Sequence, residues 1–234
     1  MNYNITINGL SVNATYSDTT INTLFLPLLK KLISLQKASN RRIIIFISAP
    51  PAVGKSTLVS FLEYLANTEL HYTNIQGIGI DGFHFYNSYL EPRDLMKEKG
   101  SIRTFDIEKL YHYVEKLTKE DTYFPRYYRN LHNPVEDDIL LDKDIILLEG
   151  NYLSSPEKRW MDLRKFSDYN IFINADVSLL RNRLIERKMK SGASLQEATD
   201  FYENSDKVNA LYVLNNRTPV DLTLTLVNGD FSYI

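Results

Sequence analysis

Residues 49–57 read Ala49-Pro50-Pro51-Ala52-Val53-Gly54-Lys55-Ser56-Thr57 and follow directly on the apolar run Ile43-Ile44-Ile45-Phe46-Ile47. A buried strand that runs into such a loop and then a helix can surround phosphate oxygens with backbone N–H groups, aided by the helix dipole. Ala52, Val53, Gly54, Lys55, Ser56 and Thr57 are the candidate nucleotide-binding residues. Lys55 brings a point charge to the β- and γ-phosphates, and the Ser56 hydroxyl is placed to hold Mg²⁺. The first glycine of G-x-x-x-x-G-K-[ST] is Ala49 here, a small residue that takes little room. Leu58, Phe61, Leu62 and Leu65 recur at helical spacing after the loop, so strand, loop and helix agree.

Two carboxylates stand at corresponding places further on. Asp81 follows the strand expected over 75–80 and opens Asp81-Gly82-Phe83-His84; Glu149 ends the apolar run Ile145-Ile146-Leu147-Leu148. In open parallel sheets, ligands bind beyond the carboxyl ends of the strands, so both acids face the crevice of the phosphate loop. Asp81 either accepts a proton from a substrate hydroxyl or caps a turn. Glu149 either meets Mg²⁺, which favours a few carboxylates and phosphate oxygens, or merely ends its strand. Arg183 and Arg187 lie four residues apart in the helix expected over 176–190. They form either one face of a lid that closes over phosphates or a solvated basic face. Pro125-Arg126-Tyr127-Tyr128-Arg129-Asn130-Leu131-His132 reads as a loop whose aromatic and basic side chains either recognise a substrate or pin the loop down. Arg126, Tyr128 and Arg129 would suit an anionic acceptor. His132 has no second histidine or cysteine nearby, which leaves a substrate hydrogen bond or a structural contact.

The elements that must position these groups form an α/β pattern. Strands are expected over 43–48, 75–80, 145–149, 169–174 and 220–226, and helices over 55–66, 106–118, 157–166, 176–190 and 194–214. This alternation specifies a parallel sheet covered by helices on both faces. Ser194-Leu195-Gln196-Glu197 is a capping box that starts the last helix. Ahead of the core, two alternating stretches flank Asn8-Gly9, a hairpin signal. A helix then starts near Asp18, with Ile21, Leu24, Phe25, Leu28, Leu29 and Leu32 on one face. Pro27 should kink that helix or mark a later start. Asn228-Gly229 suggests a second hairpin at the end. With no linker or repeat, residues 1–234 read as a single domain, 1–40 as an add-on and 41–234 as the nucleotide-binding core.

Composition limits the function classes. The 234 residues carry a net charge of −2, 44% apolar and 24% charged residues, so a nucleic-acid partner has no electrostatic support. Four histidines and no cysteine leave zinc and iron–sulfur chemistry without ligands, and zero cysteine fits a reducing, cytoplasmic compartment. No run approaches the roughly 18 apolar residues of a membrane span. The number of subunits cannot be read from these features, and a homodimer stays open.

Taken together, Ala52-Val53-Gly54-Lys55-Ser56-Thr57, Asp81-Gly82-Phe83 with Asn87 and Leu90, Leu95-Met96-Lys97 with Lys99-Gly100, Phe105-Asp106 and Leu148-Glu149-Gly150 resemble bacterial type I pantothenate kinase. Uridine kinase and phosphoribulokinase are the wider relatives, and Pro125, Tyr127 and His132 are similar to a substrate-loop pattern of the uridine kinases. The fullest likeness, over roughly residues 40 to 220, is to an uncharacterised bacterial branch of nucleoside- and nucleotide-kinase-like proteins. It includes His84, Tyr86-Asn87-Ser88, His132-Asn133-Pro134-Val135-Glu136-Asp137 and Glu149-Gly150-Asn151. The resemblance implies a P-loop NTPase fold and an ATP-dependent kinase acting on a small-molecule hydroxyl. It implies Asp81 as base, Lys55 with Arg183 and Arg187 on the phosphates, and Mg²⁺ at Ser56 and Glu149. His84, Tyr127, Arg129, His132 and Asn151 would then meet the acceptor. The chain is shorter than pantothenate kinase and differs from it in the substrate loop, so the resemblance does not name the acceptor. A different class, a nucleotide-dependent switch or binding module with slow ATP hydrolysis, would share the loop without needing a base for a substrate hydroxyl.

Overall fold

Every residue of the strand Ile43–Ser48 (β3) is buried, which happens only when both faces of a sheet are covered. The computed structural model, which describes residues 1–7, 10–128, 131–227 and 229–233, shows how. Ile43, Ile45 and Ile47 face one core with Leu58, Phe61, Leu62 and Leu65 of the helix Lys55–Glu69. Ile44 and Phe46 face a second core with Ile146, Leu148, Leu110, Val114 and Trp160.

The main sheet has six strands in the order β10-β9-β8-β3-β7-β4. They are Asp230–Tyr233 (β10), Leu222–Val227 (β9), Tyr169–Ala175 (β8), β3, Ile145–Gly150 (β7) and Ile75–Gly79 (β4). Five run parallel and the edge strand β10 is antiparallel. The strand reading of the sequence therefore holds at every central position, with boundaries moved by one or two residues. The Asn228-Gly229 turn is borne out by the β9–β10 pairing, although Asn228 itself lies outside the described residues.

Register decides what meets at the carboxyl edge. Ile47 pairs with Glu149 and Ser48 with Gly150, while Gly79 of β4 pairs with Glu149 from the other side. The phosphate loop, Glu149 and the segment after Gly79 therefore leave adjacent strands at the same level.

One expectation needs correction and a second needs refinement. Of the stretch 125–132, residues 125–128 are not loop: Thr122–Tyr128 (β5) pairs antiparallel with Asn133–Leu141 (β6), with a register shift between Phe124 and Arg126, and Leu131 and His132 are turn as expected. Pro125, which lacks the N–H a regular ladder needs, sits at that irregularity. Pro27, in turn, stands in the first turn of the α-helix Leu26–Ser39 and so marks its later start, but the chain ahead of it is already helical. The chain is helical from 18 to 39, and a π turn at Ile21–Phe25, in which the Leu26 N–H bonds to the Ile21 carbonyl, precedes the proline. In the first turn of an α-helix the missing N–H and fixed φ of proline are tolerated. A second π turn, Tyr202–Asp206, divides the helix expected over 194–214 into Leu195–Phe201 and Lys207–Asn215.

The N-terminal pair Asn2–Ile7 (β1) and Leu10–Thr15 (β2) is antiparallel, as expected, with its turn residues Asn8 and Gly9 outside the described residues. It packs on the helix that follows the phosphate loop: the Tyr3 ring lies 5.1 Å from Phe61, and its hydroxyl is 3.1 Å from Ser60 Oγ. Tyr16, 4% exposed, stacks on Phe61 at 4.3 Å.

Helix Lys55–Glu69 crosses β4 closely, since a Cβ on Gly77 would lie 2.1 Å from Val59 Cγ1. Glu63 is half-buried there and accepts from the Gly77 N–H; burial outweighs that bond and raises its pKa above the ordinary value. The native state thus holds this proton more tightly than the unfolded chain. The stability it contributes is present below the ordinary glutamate pKa and is lost as pH rises through the raised one. Glu63→Gln should therefore melt at a higher temperature than the parent at pH 8, with the gap closing toward about pH 4. A gap that stays constant across that range, read by thermal denaturation, would refute the assignment.

Candidate active site

Left-handed backbone shapes the phosphate loop. Gly54 has φ +100°, open to glycine, and Ala52 has φ +62°, held there against the preference of a residue with a Cβ. The loop closes back on β7 through the Ala49 N–H, 3.4 Å from the Gly150 carbonyl. Arg183 grips it from the helix Val177–Lys190, donating to the carbonyls of Val53 at 3.1 Å and Ala52 at 3.4 Å.

At the first turn of the following helix, Lys55 Nζ donates to Asn151 Oδ1 at 2.7 Å and lies 3.9 Å from Glu149 Oε2. The Ser56 hydroxyl donates to Glu149 Oε1 at 2.5 Å. The Lys55 and Glu149 side chains are only 12% and 11% exposed. Gly79 leaves room for this carboxylate, since a Cβ there would lie 2.9 Å from Glu149 Oε1. Hydroxyl and carboxylate oxygens are hard donors of the kind Mg²⁺ takes while keeping waters and phosphate oxygens as its other ligands. The donor set fits that ion, and the loop with its lysine fits a nucleotide triphosphate tail.

Asp81 sits in the 3₁₀ turn Ile80–Phe83, two residues past the Gly79–Glu149 pair. Its carbonyl accepts from the His84 backbone N–H at 3.2 Å and from His84 Nδ1 at 2.9 Å, so Nδ1 carries the imidazole proton. The His84 ring packs 3.8 Å from Phe105 and 5.5 Å from Tyr127. On the other side, burial first, then the Tyr212 and Asp81 charges, push the Tyr152 hydroxyl far above its ordinary pKa. It stays a neutral donor, 2.8 Å from the Gly100 carbonyl.

The structure thus brings Lys55, Ser56, Glu149 and Asn151 into direct contact and sets Asp81, His84 and Tyr127 in an adjoining group. His132 stands just ahead of β6 with φ +49°, its carbonyl accepting from Lys99 Nζ. Arg187 lies within electrostatic reach of the half-buried Asp206 of the π turn, whose pKa burial raises and the Arg187 charge lowers. Arg129 lies outside the described residues. Ser48 and Tyr152 join the site without having stood out in the sequence, and Lys99, quoted only as part of a motif with Gly100, joins them. Ser48 Oγ donates to the Asn151 carbonyl at 3.1 Å and accepts from the Ser154 N–H at 3.3 Å, which orders the turn carrying the partner of Lys55. Its position, last in a buried strand, was the available signal.

No protein-family model matches the chain. It is 38% identical over 227 residues to the uncharacterized protein YggC of Escherichia coli K12, across 97% of this chain and 96% of that one. Pantothenate kinase of Levilactobacillus brevis is 32% identical over 165 residues, covering 68% of this chain and 54% of the relative. Among solved structures, a "putative fructose transport system kinase" from Silicibacter sp. TM1040 superposes with a TM-score of 0.74 at 28% identity, over 82% of this chain and 98% of that one. Fold, phosphate loop and relatives together define an ATP-dependent small-molecule kinase of the P-loop class. The chain belongs to the YggC family, a branch of the superfamily that holds pantothenate kinase, uridine kinase and phosphoribulokinase.

The Asp81 turn is held against the β5–β6 pair by contact of main chain on main chain: a Cβ on Gly82 would fall 2.1 Å from the Pro125 carbonyl oxygen. Neither side can rotate away, so Gly82→Ala should cost about 1–3 kcal/mol of stability, the usual range for overpacking. An unchanged urea midpoint would show that the two segments are not locked together.

Proposed function

We propose that the chain transfers the γ-phosphoryl group of Mg·ATP to a hydroxyl of a small metabolite of the pantothenate-like, nucleoside-like or sugar-like kind, with Asp81 as general base. The observation that supports this reading is the register of β3, β7 and β4, which pairs Gly79 with Glu149 of the Lys55–Glu149–Ser56 group, so that the turn carrying Asp81 begins at the same sheet edge. A slow hydrolase used as a switch has no need of a carboxylate there.

Asp81 orients the acceptor hydroxyl and takes its proton as the oxygen bonds to the γ-phosphorus and the bond to the β–γ bridging oxygen breaks. The products are a phosphate ester and ADP, and the proton resides on the Asp81 carboxyl. Lys55, held in the crevice by Asn151 and Glu149, spreads its charge over the β- and γ-phosphate oxygens. Ser56 and Glu149 would hold Mg²⁺, which neutralises charge developing on the phosphates. Arg183, bonded to the loop carbonyls, keeps the loop amides turned inward, and Arg187 adds positive charge from the lid. His84 and Tyr127 line the acceptor side, with His132 just ahead of β6.

The reading is tested by ADP release from Mg·ATP across pantothenate, nucleosides, sugars and sugar phosphates. One acceptor should stimulate release, and Asp81→Asn should cut its kcat by about 10²–10⁴ while nucleotide affinity stays intact. Lys55→Ala should instead weaken both nucleotide binding and turnover. Normal turnover by Asp81→Asn would remove the base from the mechanism.

A further inference from the structure

The sequence offers Arg126, Tyr128 and Arg129 of the segment 125–132 for an anionic acceptor. Arg126 Nε instead pairs with Asp138 at 3.2 Å. Lys109 pairs with Glu136, whose Oε1 also accepts from Tyr86. Lys99 differs from both. Its ammonium donates to Asn87 Oδ1 and to the His132 carbonyl, each at 2.5 Å, and lies 5.2 Å from the Tyr127 ring centroid. Both oxygens are neutral, and among the described residues no carboxylate comes within ion-pair distance of it. Burial lowers its pKa, with no charge opposing that effect. An ammonium has three N–H donors, and one remains. Holding a half-buried cation without a counter-ion is unfavourable, and the cost is recovered when the counter-ion arrives with a ligand.

Its position relates it to the reacting end. The Tyr127 ring lies 5.2 Å from the Lys99 ammonium and 5.5 Å from the ring of His84, which is bonded to the Asp81 carbonyl. By a second route, Gly100, the neighbour of Lys99, accepts from Tyr152, the hydroxyl that feels the Asp81 charge. We propose that Lys99 is the anion-recognising residue of the acceptor site, so that the acceptor carries a carboxylate or phosphate which pairs with Lys99 while its hydroxyl lies at Asp81. This rests on the kinase reading above and narrows its substrate class to anionic hydroxyl compounds.

Binding without turnover separates the two claims. The full chain saturated with Mg·ADP is titrated calorimetrically with two matched pairs, pantothenate against pantothenol and ribulose 5-phosphate against ribulose. The anionic member of at least one pair should bind about tenfold or more tightly than its neutral counterpart, and the responding pair distinguishes carboxylate from phosphate. Lys99→Gln, which keeps a donor for Asn87 and His132 but no charge, should weaken that member by about 10–100-fold, the range of a charged hydrogen bond. Lys99→Arg should restore most of the loss, and equal melting temperatures would show that both variants fold. Neutral members binding as tightly, an anion preference unaltered in Lys99→Gln, or no anionic member binding at all would each overturn the proposal. Failure of the kinase reading would show separately, as ADP release indifferent to Asp81→Asn.

Discussion

A carboxylate and an ammonium, each close to nine-tenths buried, cannot share a crevice unless the surrounding groups compensate for their lost hydration. Lys55 and Glu149 meet that condition through Asn151, Ser56 and the space left by Gly79. The rest of the architecture serves this arrangement. β3 must pair with β7 so that Ile47 stands opposite Glu149, and β4 must flank β7 so that Gly79 lies beside the same acid. A shift of one residue in either register would turn Glu149 into one of the apolar cores. The isoleucines and leucines on both faces of β3 and β7 hold the register and so hold the site.

Around that pair, the molecule divides polar work between two sides. On the nucleotide side, cations meet either a carboxylate or main-chain carbonyls, as Lys55 and Arg183 do. Around β5 and β6, Arg126 and Lys109 are matched by Asp138 and Glu136, and Lys99 meets only neutral oxygens. The contrast is one of electrostatic completeness. Desolvation is offset within the chain on one side, and on the other by whatever enters.

Much of this was legible in the residues themselves. The phosphate loop announced itself because a buried strand, a loop and a helix pattern coincide at one place, and each constrains the others. Asp81 and Glu149 were found by a rule of position, that polar residues directly after a strand of a parallel sheet face its ligand. The capping box at Ser194 and Glu197 is local chemistry and formed as read. What escaped is non-local. The segment 125–128 carries a proline and no alternation, so only its pairing with β6 makes it a strand. Lys99 gives no signal by spacing, because its partners Asn87 and His132 come from two separate segments. The π turn ahead of Pro27 could not be read either, since a proline in a helical pattern predicts disruption without saying what form the chain ahead of it takes.

The union of the two ends of the described chain bears on how the protein is made. Ser17 N–H and Thr20 Oγ1 both donate to Asp230 Oδ2, and the ring of Tyr16 lies 6.1 Å from Phe231. Ser17 and Asp230 are 213 positions apart. During synthesis, the helix at 18–39 must wait with Tyr16 and Phe25 incompletely covered until the antiparallel edge strand emerges from the ribosome. Contacts of such separation close late and slowly. The sheet that carries the chemistry can pair from β3 to β9 before then, so the active site can assemble ahead of the contact that seals its back.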